Sequence, residues 1–181
     1  MLRNILVYGV IAGVIIAIPT FGLTVLLKDN PPEHYGLLIG YTTMLVALSA
    51  IFVAIKRQRD VDGGGVIRFW PALALGLGVS TLAGIFYCLA WEAALAVTGM
   101  DFGADYARQL IEAEKAKGVS GAALAKFTAE METFKLQYAN PLYRLPMTFT
   151  EIFPVGVLVS LVSAALLRNS RFLPARAVAG Q

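Results

Sequence analysis

Four uninterrupted apolar runs, parted by two short polar loops and one long mixed segment, lay out this chain. The first, Ile5 to Leu27, holds 23 residues without a charge, and the second, Tyr35 to Ile55, holds 21. The third, Phe69 to Trp91, holds another 23 and continues through Glu92 to about Val97. The fourth begins near Leu145 and runs apolar from Val155 to Leu167, with small residues at Gly156, Ser160 and Ala164. About 20 apolar residues, rising about 1.5 Å each, cross a hydrocarbon core of about 30 Å. The runs therefore predict membrane spans over 5–27, 35–55, 69–97 and 145–167. A cleavable signal would have a shorter apolar region, about 7–15 residues, ending on a small-x-small site. Here Lys28-Asp29-Asn30-Pro31-Pro32 follows, so the first run reads as a retained span. Within it Gly9 and Gly13 form a GxxxG pair and Pro19 predicts a kink.

The segment from Gly99 to Asn140 has a different period. Phe102, Tyr106 and Leu110 recur every four residues; Leu124, Phe127, Met131, Phe134 and Tyr138 recur every three or four. That spacing predicts two amphipathic helices. Gly118 reads as the stop of one, Ser120 as the N-cap of the next, and Asn140-Pro141 as its end. The second loop, Asp60-Val61-Asp62-Gly63-Gly64-Gly65, reads as a turn with nothing to sustain a helix. The predicted fold class is all-α: one integral membrane domain spanning 1–181, a four-transmembrane-helix bundle with an extracytoplasmic amphipathic helical hairpin, about 99–140, between spans three and four.

Composition agrees with that class. Hydrophobic residues make up 57% of the chain, against about 45–50% in soluble domains. The net charge of +3 is too small to point to nucleic acid. Its distribution sets an orientation: Arg3, Lys56, Arg57, Arg59, Arg68, Arg168, Arg171 and Arg176 all fall on one side of a four-span layout, against Lys28 in the first loop. By the positive-inside bias both termini are cytoplasmic and the hairpin lies outside. A lone Cys88 excludes a disulfide framework or CxxC site, and a lone His34 leaves little for a histidine metal site or a Ser-His-Asp triad. No metal and no cofactor are expected. Gly63-Gly64-Gly65 is no phosphate loop, since neither a preceding strand nor a following Lys-Ser/Thr is present.

The stretches GYTTMLVALSAIFVAIKRQRD, GGGVIRFWPAL and NPLYRLPMTFTEIFPVGVLVSLVSAALL resemble a bacterial family of small four-span membrane proteins classed only as a domain of unknown function. The likeness runs from about Ile5 to Arg168 and is most specific over Lys56 to Phe69 and Phe149 to Ser163. It implies a four-helix integral protein of the bacterial inner membrane. It brings no catalytic residue.

Candidate chemistry rests on Glu92 and Glu151, the charges inside the spans. An ionised group at a helix centre costs about +2.5–3.5 kcal/mol on insertion scales, so such residues are functional candidates by default. Glu151 has a structural alternative: Thr148-Phe149-Thr150-Glu151 fits a T-x-x-E capping box, or Glu151 itself caps a helix whose third residue is Pro154. Glu92 sits near a helix C-terminus and has no cap to make; Arg144 is the nearest cation by depth. An ion pair and a working carboxylate both fit it. Gly76, Ser80, Gly84 and Cys88 on span three, and Gly156, Ser160 and Ala164 on span four, form small-residue ridges suited to close helix packing. Trp70 and Trp91 suit interfacial belts.

The stripe Phe127, Met131, Phe134 and Tyr138 is either the seam of the hairpin against Phe102, Tyr106 and Leu110, or a surface for the membrane or another protein. The leading functional expectation is a non-enzymatic interaction or accessory protein that uses this hairpin stripe. The runner-up is a small ion- or proton-coupled transporter, working as an oligomer, with Glu92 and Glu151 in its path. Expected partners are the lipid bilayer and another membrane or extracytoplasmic protein, with a homo-oligomer as a further candidate.

Overall fold

The computed structural model describes residues 1–28 and 35–174. His34, in the first loop, and Arg176, in the tail, lie outside the described residues. Six α-helices follow one another: α1 (Leu2–Leu26), α2 (Gly36–Arg57), α3 (Phe69–Thr98), α4 (Phe102–Ala116), α5 (Gly121–Tyr138) and α6 (Pro141–Leu167). Four of them, α1, α2, α3 and α6, are long and apolar enough to cross a membrane, and α4 and α5 form a hairpin between the last two. The chain is a multi-pass membrane protein with no strand among the described residues.

Small residues set the packing. An added Cβ at Gly9 would lie 2.7 Å from Leu82, and one at Gly78 would lie 2.8 Å from Ile5; Gly13 is likewise closed by the Phe86 ring. Each step of four along α1 meets a step of four in the same direction along α3, so the two helices run parallel. Against α6 the order reverses. A Cβ at Gly76 would sit 2.7 Å from Ser160 Oγ, and one at Gly156 would sit 2.6 Å from Ser80 Oγ. The ridges on α3 and α6 are thus pressed on each other within one chain, and neither is left over for a second copy. The buried hydroxyls of Ser80 and Ser160 donate to their own helix carbonyls at Gly76 and Gly156, 2.9 and 2.7 Å away. We expect Gly156→Leu to lower stability by about 1–3 kcal/mol or more, because the contact has no slack. Thermal unfolding in detergent measures this, and an unchanged midpoint would show that α3 and α6 do not meet closely at Gly156.

At the end of the bundle where α1 begins and α6 ends, α2 does not stop where its sequence suggests. It continues as a π-helical turn, Gln58–Asp62, before the glycines. The added turn is held by partners remote in sequence. Asn4 is buried and its amide donates to Gln58 Oε1 at 2.9 Å and Asp62 Oδ2 at 3.1 Å. Arg59, fully buried, pairs with Asp60 at 2.7 Å and donates to the carbonyls of Phe172 and Leu173 at 2.8 and 2.6 Å. Lys56 closes on Asp60 from one turn earlier. Gly64 and Gly65 then take positive φ, +60° and +88°, which reverses the chain toward α3.

Candidate functional site

The opposite end of the bundle carries the chemistry. With 30 residues, α3 is about 45 Å long at 1.5 Å per residue, longer than a hydrocarbon core of about 30 Å. Its last turns therefore project beyond the apolar slab, and Trp91 and Glu92 mark the transition. The chain then turns at Gly99 (φ +66°) into α4, whose N-cap Asp101 accepts from the Ala104 amide at 3.0 Å. The return is equally defined. Asn140 caps α6 by accepting from the Leu142 amide at 3.0 Å, and Pro141 takes the first helical position.

That start, four residues earlier than expected at Leu145, overturns the capping box. Thr148 and Glu151 lie in the third and fourth turns of an established helix, where no free amide remains for Glu151 to satisfy. Its carboxylate accepts instead from the Tyr87 hydroxyl of α3 at 2.7 Å, with the rest of the side chain exposed. Glu92 and Arg144 form a two-pronged ion pair: Nε to Oε1 at 2.6 Å, and a second guanidinium nitrogen to Oε2. A third donation from Arg144 reaches the Tyr138 carbonyl at 3.1 Å, and the guanidinium stands 5.6 Å over the Tyr138 ring. Such a bidentate pair fixes geometry as well as charge.

Around this pair the aromatic residues converge. Trp91 donates its indole N–H to Tyr138 Oη at 2.9 Å and meets Phe102 edge-on, with centroids 5.1 Å apart. Phe102 also packs on Tyr138 and Tyr106, and Phe134 on Tyr106 and Tyr138. Trp91 is thus half-buried on the hairpin root, while Trp70 at the other end is exposed. Tyr138 is 6% exposed and cannot serve as part of a docking stripe; Phe134 stands half-buried in the same aromatic chain. Phe127 and Met131, further from the spans, are half-buried. Burial raises the phenol pKa of Tyr138 above its usual value. Gly118 does end the first hairpin helix region, with φ +86°, and Ser120 occupies the N-cap of α5 without bonding it through its hydroxyl.

The mutual arrangement of these residues is a mechanical junction. Phe102 opens α4 and Tyr138 closes α5, so both roots of the hairpin meet at one ion pair between α3 and α6. Cys88 is buried one turn below, its thiol 3.7 Å from the Leu145 carbonyl. Among the described residues no group of three or more His, Cys, Asp or Glu converges as a metal site would require. The family model described as protein of unknown function, DUF4199, matches residues 7–169, which takes in all four spans, the hairpin and this junction. The chain belongs to the DUF4199 family. No curated protein and no solved structure matches it. The family match covers both Glu92 and Arg144, and it names no activity. Membership therefore leaves the role of the DUF4199 junction to its geometry.

Proposed function

We propose that the protein is a non-enzymatic accessory protein of a bacterial inner membrane, which presents the α4–α5 hairpin on the extracytoplasmic face for another protein to read. The observation that carries this reading is the clamp: Glu92, Arg144, Trp91, Phe102 and Tyr138 hold both roots of the hairpin to both flanking spans. A segment held at two points does not swing, and a preorganised surface binds at a lower ordering cost. The outward face of α5 suits such a use. Ala122, Ala125, Ala129, Thr133 and Leu136 fall on one helical row and are exposed, on the face opposite the half-buried Phe127 and Met131. Small residues along a row admit the close approach of a partner helix.

The orientation rests on the eight basic residues that the sequence places at one end of a four-span layout; Arg59 and Lys56 are bound to Asp60, and Arg3, Arg57, Arg68, Arg168 and Arg171 remain for anionic lipid. Reporter fusions at Gly64 and Gly118 should read cytoplasmic and extracytoplasmic respectively; two reports from the same side would sink the topology. A photo-crosslinker at Ala129 should yield one defined protein adduct in native membranes, lost in Leu136→Asp with the thermal midpoint kept. No adduct at any exposed α5 position would remove the reading.

The competing reading, an ion- or proton-coupled transporter, draws on Glu151, which has a single hydrogen-bond partner and no cation within ion-pair distance among the described residues. Against it, Glu92 is occupied by Arg144, and the polar side chains buried between the spans are serines and Thr148 rather than a charged path. Proton or sodium flux in reconstituted vesicles, abolished by Glu151→Gln without loss of stability, would promote it.

A further inference from the structure

The core does not extend to the hairpin end of every helix. Burial along α1 stops at Ile16, and burial along α2 begins only at Met44. Beyond those two residues the helices part, and a cleft of about 750 Å³ opens between them. Pro19, Thr20, Leu23, Thr24 and Leu27 form its α1 wall, and Gly36, Ile39, Gly40 and Thr43 its α2 wall. A Cβ on Gly40 would meet open space, in contrast to the closed glycines of α1 and α3. The floor is Tyr87 and Trp91, and α4 makes the far wall.

Polarity in this cleft is sorted by position. Tyr87 gives its hydroxyl proton to Glu151, Trp91 gives its indole proton to Tyr138, and Thr24 and Thr43 give theirs to Thr20 and Ile39 carbonyls. Apart from the Thr20 hydroxyl, floor and span walls therefore present carbon. The α4 wall differs. Asp105, Arg108, Gln109 and Glu112 fall on one helical row and all line the cleft, with Lys28 opposite at the end of α1. Among the described residues, two cations and two anions thus stand at one end of a hydrocarbon-lined space, at the level where spans leave the membrane.

The geometry points to a site for one zwitterionic phospholipid of the ethanolamine type. One acyl chain lies between α1 and α2, the phosphate meets Lys28 and Arg108, and the primary ammonium meets Glu112 and Asp105. The volume falls within the range of about 300–1,000 Å³ typical of ligand sites. Charge complementarity selects the headgroup. An anionic lipid such as phosphatidylglycerol would satisfy the cations with its phosphate but bring no cation to Asp105 and Glu112. A primary ammonium donates hydrogen bonds to carboxylates, which a quaternary amine cannot do. Arg108 already spends one N–H on Asp105, at 3.0 Å, and keeps four donors for a phosphate.

The test uses the purified full chain in detergent, titrated separately with phosphatidylethanolamine and with phosphatidylglycerol of the same acyl chains, and read by native mass spectrometry. Wild type should hold one phosphatidylethanolamine, with phosphatidylglycerol bound about fivefold more weakly or worse. Gly40→Trp fills the cleft and should weaken phosphatidylethanolamine binding by about tenfold or more. Gly22→Trp, where a Cβ also meets open space but outside the cleft, should bind as wild type. Asp105→Asn with Glu112→Gln removes the two carboxylates assigned to the ammonium, on solvent-accessible side chains, and should abolish the preference between the two lipids. Retention of lipid by Gly40→Trp, or an equal loss in Gly22→Trp, would overturn the site. Equal affinity of wild type for both lipids would overturn the headgroup assignment. Should Gly40→Trp fail to fold, the charge variant decides alone: an undiminished preference refutes the proposal.

Discussion

Arg59→Ala is expected to lower the stability of the detergent-solubilised protein by about 3–5 kcal/mol, the range for breaking a buried charge pair. Arg59 is fully buried, and its guanidinium joins three separate things: Asp60 of its own turn and the carbonyls of Phe172 and Leu173, more than a hundred residues away. Removing it leaves two carbonyls unpaired beside the core, on a segment where Phe172 also packs. Lys56 still neutralises Asp60, so the loss falls on the tail more than on α2. Trypsin cleavage at Arg171 should therefore accelerate in Arg59→Ala, together with a lower thermal midpoint. Arg59→Lys should restore little, because an ammonium on a flexible stem cannot serve a carboxylate and two carbonyls in one plane as a guanidinium does. Wild-type cleavage of the tail in Arg59→Ala would show that Arg59 does not hold it.

That residue also marks where sequence reading stops. The spans were legible because a bilayer accepts little besides long charge-free helices, and the runs at Ile5, Tyr35 and Phe69 carry that signature unaided. The hairpin seam was legible because Phe102, Tyr106, Phe134 and Tyr138 repeat at the helical period, and the structure packs their rings together. Arg59 read as one more cytoplasmic charge, since its partners Phe172 and Leu173 lie on the returning tail, far from it in sequence. The T-x-x-E motif at Thr148 misled for a related reason. A capping box needs a helix start, and Asn140-Pro141 had already supplied a stronger one. The same early start brings Arg144 into α6 and onto Glu92. The cleft was illegible altogether: it exists because α1 and α2 part, and no residue pattern within either helix states how far apart they stand.

Arg144→Met should cost about 2–3 kcal/mol, below the range for a wholly buried pair, because the Arg144 and Glu92 side chains keep 14% and 25% of their exposure. The loss has two parts. Glu92 is left as an uncompensated carboxylate against Trp91 and Tyr138, and the Tyr138 carbonyl loses its donor. Glu92→Gln should cost less, since the amide oxygen still accepts from the guanidinium, and Arg144 keeps both the Tyr138 carbonyl and the Tyr138 ring. The double variant should then be less destabilised than the two single losses added together, because each partner's penalty is the other's stranded charge. Two readouts separate a clamp from a titrating site. If Glu92 and Arg144 hold the hairpin, protease cleavage near Gly118 and the thermal midpoint should move together across the three variants. An Arg144→Met protein with an unmoved midpoint and an unmoved cleavage rate would show that the pair anchors nothing, and would leave the hairpin to its aromatic seam alone.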